Sequence, residues 1–320
     1  MVAIGPTPAV FGMTPGAMRG WSWQISQLAN GVLESERTLA PFDGGYIGSI
    51  TADRSALHQV STATGWGLML LPAVDSGAVF VEGRRLVVGD AVFMPQACDL
   101  ELLSHDVGRI YLIAFRSPVA GSRPRLSRPC WYARADRSSN LTEDVSAWLA
   151  AVSKDRVDSS RTHALQSRVL AWIHSAGDEP AQYEFGDHAL PRRRMAVERV
   201  RRFIHDHLAE SMTLADLCHH AHLQARSLEY GFRDLVGLSP FKYIKMLRLA
   251  EVRRRLQSSG AVERSVSEVA LDCGFSHLSQ FAADYKRAFL ESPSATVRAD
   301  RCRAGRVGRY DAVPSAADAR

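Results

Sequence analysis

Arg226, Glu229, Tyr230 and Arg233 recur three and four residues apart, so one helical face would carry them all, with Ala225 at its start. A second set, Ser276, His277, Leu278, Gln280, Ala283 and Lys286, is threaded through another apolar stripe further along. Guanidinium forks, an amide, an imidazole and hydroxyls on an exposed helix face can donate to and accept from flat polar edges, and the cations among them can meet phosphates. That is the chemistry of recognition. Bond-making chemistry lacks its parts: there is no Walker loop, no Gly-x-Gly-x-x-Gly after a strand and no Gly-x-Ser-x-Gly elbow. Cys218-His219-His220-Ala221-His222 invites a metal, but Cys218 falls on an apolar face, the histidines spread over a helix end and a turn, and no second cluster completes a shell. Residues 1–120 hold only His58 and His105 and no His-x-His, too few ligands for a metal enzyme in a β-barrel. The expectation is no catalytic residue, no metal and no cofactor.

Two similar helical units must position these faces. In the first, Thr213 caps a helix from Leu214, with Leu214, Leu217, Cys218 and Ala221 as its apolar side. His222-Leu223 makes the turn, and Gln224 or Ala225 opens a second helix with Leu228, Phe232 and Leu235 inside. Gly237-Leu238-Ser239-Pro240 ends it and starts a long helix whose apolar side is Tyr243, Leu247, Leu249, Ala250, Val252 and Leu256. In the second unit Ser265 or Ser267 caps a helix through Val269, Ala270 and Cys273, and Gly274 supplies a left-handed turn. Phe275 plugs the core, Ser276 caps the next helix, and Phe281, Tyr285 and Phe289 form its buried stripe, leaving Asp284 outward with the second set. Ser292-Pro293 closes this unit as Ser239-Pro240 closed the first, and the repetition is stronger than either motif alone.

Residues 195–298 resemble the DNA-binding domain of the AraC/XylS family of bacterial transcription regulators. The resemblance rests on Val269-Ala270, Gly274-Phe275-Ser276, Ser279, Phe281, Tyr285-Lys286, Phe289, Ser292-Pro293 and Arg298, and on Leu228, Phe232, Gly237-x-Ser-Pro240, Tyr243 and Leu247-Arg248-Leu249. It covers about a third of the chain. Leu290 departs from the family's usual Gly, and Ala283 stands where many relatives carry an Arg. The wording of Ser227–Phe232 with Phe275–Phe281 is similar to a subgroup that includes ethanolamine-utilisation regulators, without carrying over their effector. The resemblance implies seven helices in two subdomains joined by a linker helix near Pro240–Gln257. It also implies double-stranded DNA as partner, RNA polymerase as a second partner, a homodimer, and an N-terminal cupin-like barrel that takes a small-molecule effector.

Charge divides the chain in the same sense. Residues 1–190 hold 16 Lys+Arg against 19 Asp+Glu, a net −3, and residues 191–320 hold 23 against 15, a net +8. Arg192-Arg193-Arg194 would contact phosphate or simply end a solvated linker, and Arg253-Arg254-Arg255 would face solvent on the linker helix or meet phosphate. From Asp43 to Ser117, short apolar runs broken by Gly, Pro and Asp read as strands, with a hairpin at Val81-Glu82-Gly83-Arg84-Arg85 and a Gly89-Asp90 turn. Tyr46, Trp66, Phe80 and Phe93 could line an effector pocket or be barrel core; both are apolar. Apolar spacing predicts helices near Leu141–Val152 and Arg161–Ser175, either a dimerisation pair or packing on their own barrel.

The expected fold class is therefore α+β: an N-terminal cupin-like β-barrel or sandwich with a helix pair, then a C-terminal all-α domain of two helix-turn-helix subdomains. The expected boundaries are an N-terminal arm 1–42, a sensor barrel 43–117, a loop and helical pair 118–176, a linker 177–191, the double helix-turn-helix domain 192–300 and a disordered tail 301–320. Five scattered cysteines, with no basic, apolar leader and no apolar run near ~18 residues, point to a reducing cytoplasm and no membrane. The function expected is an effector-responsive dimeric activator that reads DNA. Its competitor is a cupin-like small-molecule-binding or metal-dependent enzyme with a basic helical appendage.

Overall fold

Short runs of Leu, Val, Ile and Phe between turn residues pair into two antiparallel sheets. The computed structural model describes residues 21–42, 45–81, 84–94, 99–116, 131–133, 135–154, 159–178, 192–258 and 264–307. One sheet has the order β1 (Ser22–Gln27), β4 (Ala56–Ser61), β9 (Asp99–Ser104), β6 (Val79–Val81), β7 (Arg84–Leu86). The other runs β11 (Trp131–Ala133), β8 (Ala91–Met94), β5 (Trp66–Pro72), β10 (Gly108–Arg116), β3 (Gly45–Ala52), β2 (Ser35–Phe42). Asp90 accepts from the Val87 N–H at 2.9 Å, and Gly89 takes φ 93, which makes the turn into β8.

Alternation along the strands sorts side chains into layers. Leu68 and Leu70 of β5, Val92 and Met94 of β8, and Ile110 and Leu112 of β10 point between the sheets, against Trp23, Ile25, Val60 and Leu102. Their neighbours Met69, Leu71, Phe93, Tyr111 and Ile113 point the other way, under α1 (Ala135–Val152) and α2 (Ser159–Asp178). Both faces of this sheet are covered, which is why β5 reads as one continuous apolar run. On the outer face of the first sheet Leu57, Phe80 and Leu103 join the core of the helical half.

Three expectations need correction. Two strands, β1 and β2, lie in the segment 1–42 assigned to an arm, so the sheets begin at Ser22 rather than Asp43. β1 carries Trp23 and Ile25 inward, a strand pattern too short to stand out before it has a partner. β11 falls in the Pro- and Arg-rich stretch read as a loop, and pairs with β8 through Trp131↔Phe93. Of the two readings open for the helix pair, the apolar faces of α1 and α2 take the second and rest on their own sheet through Leu141, Val145, Trp148, Leu165, Val169 and Trp172. The final helix runs to Val307, past the limit at Asp300. Glu82-Gly83, most of the linker and the end of the tail lie outside the described residues.

The C-terminal half is helical: α3 (Arg192–Asp206), α4 (Leu214–Ala221), α5 (Ala225–Val236), α6 (Pro240–Leu256), α7 (Val266–Asp272), α8 (Leu278–Phe289) and α9 (Pro293–Val307). Pro240 at the first position, where its missing N–H costs nothing, fits α6's start. α6 is the axle: Tyr243, Ile244, Met246, Leu247, Leu249 and Val252 are all buried, on more than one side. Either unit is built around it.

Candidate nucleic-acid interface

Each unit begins with the same lock. Thr213 accepts from the Asp216 N–H at 3.2 Å while Asp216 accepts from the Thr213 N–H at 2.8 Å. Ser265 and Glu268 repeat the box at 3.1 and 2.7 Å, which settles the cap on Ser265 rather than Ser267. These reciprocal bonds hold both acids below the usual carboxylate range. The Thr-x-x-Asp and Ser-x-x-Glu spacing was readable in the sequence; only the cap residues were picked out.

The second helix of each unit is different. α5 is capped by Gln224 and α8 by His277, neither with a side-chain bond. Their first amide N–H groups are therefore not claimed by a capping side chain, at the positive end of the helix. Ser276 lies one residue before the cap and does not cap α8, contrary to expectation. The reason is geometric: Gly274 takes φ 85 and hands the chain to an extended His277, which already occupies the cap position. Behind α5, Leu228, Phe232 and Leu235 are fully buried, and behind α8 Phe281, Tyr285 and Phe289 are. Phe275 is only half-buried, packed at 4.9 Å on Phe281.

Ala225, Arg226, Glu229, Tyr230 and Arg233 are all exposed on α5, with the Arg226 guanidinium 5.6 Å from the centre of the Tyr230 ring. Ser276, His277, Leu278, Gln280, Ala283 and Lys286 are all exposed on or before α8. Each set thus shares one uncovered face. Asp284 does not belong to it: it is 6% exposed and bonded to Lys245 at 3.2 Å and Arg287 at 2.9 Å. The turns use left-handed residues in alternation. His222 (φ 51) and Gly237 (φ 75) serve the first unit, Gly274 and Leu290 (φ 56) the second. Leu290 keeps the bend that a Gly would make, with its N–H on Lys286 O at 2.9 Å and its side chain in solvent.

The basic runs divide. Arg192 and Arg193 are exposed at the start of α3, and Arg194 lies 3.8 Å from Asp234. Arg253-Arg254-Arg255 does not face solvent as a block. Arg253 is 9% exposed, 4.5 Å over the Phe289 ring and 2.9 Å from Glu291. Arg254 and Arg255 share Glu251 at 2.6 and 2.7 Å. These are internal bonds that brace α6.

Two arginines have structural roles that the sequence does not announce. Arg248 ties two backbone segments through three carbonyls, donating to Leu208 O at 2.8 Å and Glu210 O on one and to Gly274 O at 2.9 Å on the other. Arg201 is buried and donates to Glu198 at 2.8 Å and, across to β9, to Glu101 at 3.0 Å. Against burial, which favours loss of the proton, the Tyr243 hydroxyl and the two carboxylates raise its pKa. Burial pushes the Tyr243 hydroxyl up to about 12. Arginines inside a helical pattern look like surface, and only the fold shows them buried.

The four aromatic candidates do not meet around one cavity. Phe93 faces α2, 6.0 Å from Trp172, and Phe80 faces the helical half beside His105. Neither points between the sheets, because each sits one residue out of phase with the inner row. Tyr46 and Trp66 do come together, stacked at 6.1 Å with Trp21 edge-on at 6.0 Å and Arg116 4.9 Å over Trp66. The Trp21 indole N–H has no hydrogen-bond partner among the described residues. Deeper in, His58 accepts from Trp23 at 3.3 Å and meets Ser104 at 3.1 Å, and burial lowers it to about 4.

Among the described residues no group of three or more His, Cys, Asp or Glu is placed to hold a metal ion. His220 instead stacks on Phe203 at 3.7 Å. Among them, too, no helix is long and apolar enough to cross a membrane.

A helix-turn-helix domain family matches residues 217–299. XylDLEGF operon transcriptional activator 3 of Pseudomonas putida is 43% identical over 103 residues, covering 32% of this chain and 31% of that protein. The chain thus matches about a third of the length of its first curated relatives. A probable AraC family transcriptional regulator from Rhodopseudomonas palustris CGA009 is 33% identical, over 33% of this chain and 96% of that one, with TM-score 0.31. The DNA-binding domain of AdpA, solved with a target DNA, is 29% identical over 34% of this chain and 95% of that one, with TM-score 0.32. The two locked helix-turn-helix units on their shared axle, with the domain match and these identities, mark the C-terminal half as a helix-turn-helix domain of the AraC/XylS type.

Proposed function

We propose that this chain is a sequence-specific DNA-binding transcription regulator whose α5 and α8 enter successive major-groove segments about one turn (~34 Å) apart. The observation that carries the proposal is the pair of helices with fully packed backs and polar, uncovered fronts. Arg226, Tyr230 and Arg233 on α5, and His277, Gln280 and Lys286 at α8, supply the edge- and phosphate-reading groups. The amides at the starts of α5 and α8 suit phosphate, and the net +8 of residues 191–320 favours the duplex. The relatives described as transcriptional activators support the same reading.

In this proposal the protein is a cytoplasmic homodimer without enzymatic activity that activates transcription with RNA polymerase. A small-molecule effector binds the N-terminal sheets at the Tyr46–Trp66 end, where stacked rings, the Arg116 cation and the Trp21 N–H would suit a flat ligand with an acceptor. Phe80 and Phe93 are left out of that site. Footprinting on the DNA upstream of its own gene tests the core of the proposal. Two protected segments on one face of the duplex are expected; a single protected segment overturns the two-reader arrangement.

A further inference from the structure

The two proposed readers are held from behind by one sheet. Gln27, at the end of β1, is 3% exposed, and its Nε2 donates to Ala288 O at 2.8 Å. The Gly31 N–H donates to the same oxygen at 3.0 Å. Ala288 lies in the last turn of α8, where a helix leaves its carbonyls without partners of its own. The N-terminal half thus caps the C-terminal end of α8.

It also packs against the end of α5. His105 lies just past β9, beside the C-terminal end of that helix. Its ring also lies against the cap residue Gly237, with Cε1 3.6 Å from where a β-carbon would stand. Phe80 backs this ring at 5.1 Å and enters the shared core. Between the two contacts Glu101 holds buried Arg201 of α3, and Gln59 steadies Glu101 at 3.0 Å. Yet every candidate contact residue on α5 and α8 stays exposed with the sheet in place. The contact therefore cannot work by covering the readers.

We infer that the first sheet is a gauge: by capping the rear end of α8 and packing His105 against the rear end of α5 it sets the distance and angle between them. Whatever alters the N-terminal half then reaches DNA as a change in the spacing the protein accepts. This rests on the DNA-binding proposal above.

The test uses the full chain and duplexes carrying the footprinted site with one base pair added or removed between the two protected segments. One base pair turns the second segment by about 34° and moves it ~3.4 Å. The wild-type protein is expected to lose about tenfold in affinity, ~1.4 kcal/mol, at either altered spacing. The double variant Gln27→Ala, His105→Ala should lose threefold or less, and Leu170→Ala on the far helix α2 should behave as wild type. Gln27→Asn, which keeps the amide but shortens its reach, serves if the double variant does not fold by circular dichroism, and should give an intermediate penalty. A folded double variant, or Gln27→Asn in its place, that keeps the full wild-type penalty overturns the gauge, as does a wild type indifferent to spacing. Wild type that binds no duplex at all overturns the DNA-binding proposal instead.

Discussion

Phe281→Ala is the sharpest test of how the second unit is built. Phe281 is 3% exposed, wedged between Phe275 at 4.9 Å and Tyr285 at 5.7 Å. A buried phenylalanine takes some 150–200 Å² out of water, or about 4 kcal/mol at ~25 cal/mol/Å². Alanine keeps a little of that, and the cavity left between the two neighbouring rings adds to the loss, so the net cost is about 3–5 kcal/mol. At a urea slope of ~1–2 kcal/mol/M, the unfolding midpoint of this half should fall by about 2–4 M. All six tryptophans lie between Trp21 and Trp172, so their fluorescence reports the N-terminal half alone, while far-ultraviolet dichroism is weighted to the helices. The dichroism transition should move far more than the fluorescence transition. If both curves superimpose on wild type, Phe281 does not face the interior and the assignment of α8's outer face falls with it.

Three further outcomes follow from the same geometry. Arg226→Ala should weaken specific DNA binding by about 1–3 kcal/mol while leaving the melting temperature unchanged; a titration showing equal loss on unrelated DNA would mark Arg226 as a phosphate contact only. Leu290→Gly should raise stability by about 0.5–1 kcal/mol, because a non-glycine residue at φ 56 is strained and this side chain is 67% exposed; a lower melting temperature would refute this. His58 protonates near pH 6.5 when unfolded but about 4 when folded, so the unfolded chain binds the extra proton between those values. Stability should be full above pH 6.5 and fall by about 3 kcal/mol as the pH drops to 4, and His58→Gln should flatten that slope. Burial, and after it the positive charge of Arg37, lowers His58. His105 and His205 are also lowered, chiefly by burial, and should leave the variant a residual slope of the same sign. Identical slopes in both proteins would place the titration elsewhere.

The helical half was legible because its periodicity is local. Leu228, Phe232 and Leu235 announce a face by spacing alone, and Gly237-x-Ser-Pro240 marks a boundary within four residues. What the sequence hid is what depends on partners. Asp284 has the spacing of an outward residue, but Lys245 of α6 comes to meet it and lets it be buried. Arg253 sits in a run of three arginines, and only the Phe289 ring beneath it shows that one of the three faces inward. In the N-terminal half, aromatics in apolar runs looked equivalent. Strand parity separates them: Tyr46 and Trp66 share the inner row's phase, and Phe80 and Phe93 do not. Parity needs the register, and the register needs the neighbouring strands.

The burial of α6 on more than one side also constrains how such a protein can change over generations. Adding one residue to an α-helix turns everything beyond it by about 100° and advances it ~1.5 Å. A lineage that gained or lost a single codon in α6 would swing α8 off the face it shares with α5 and tear Tyr243, Leu247 and Leu249 from their seats. Seven residues added together restore the phase to within about 20° but carry α8 some 10 Å along the axis. Length variants of α6 should therefore be rare and come in whole turns.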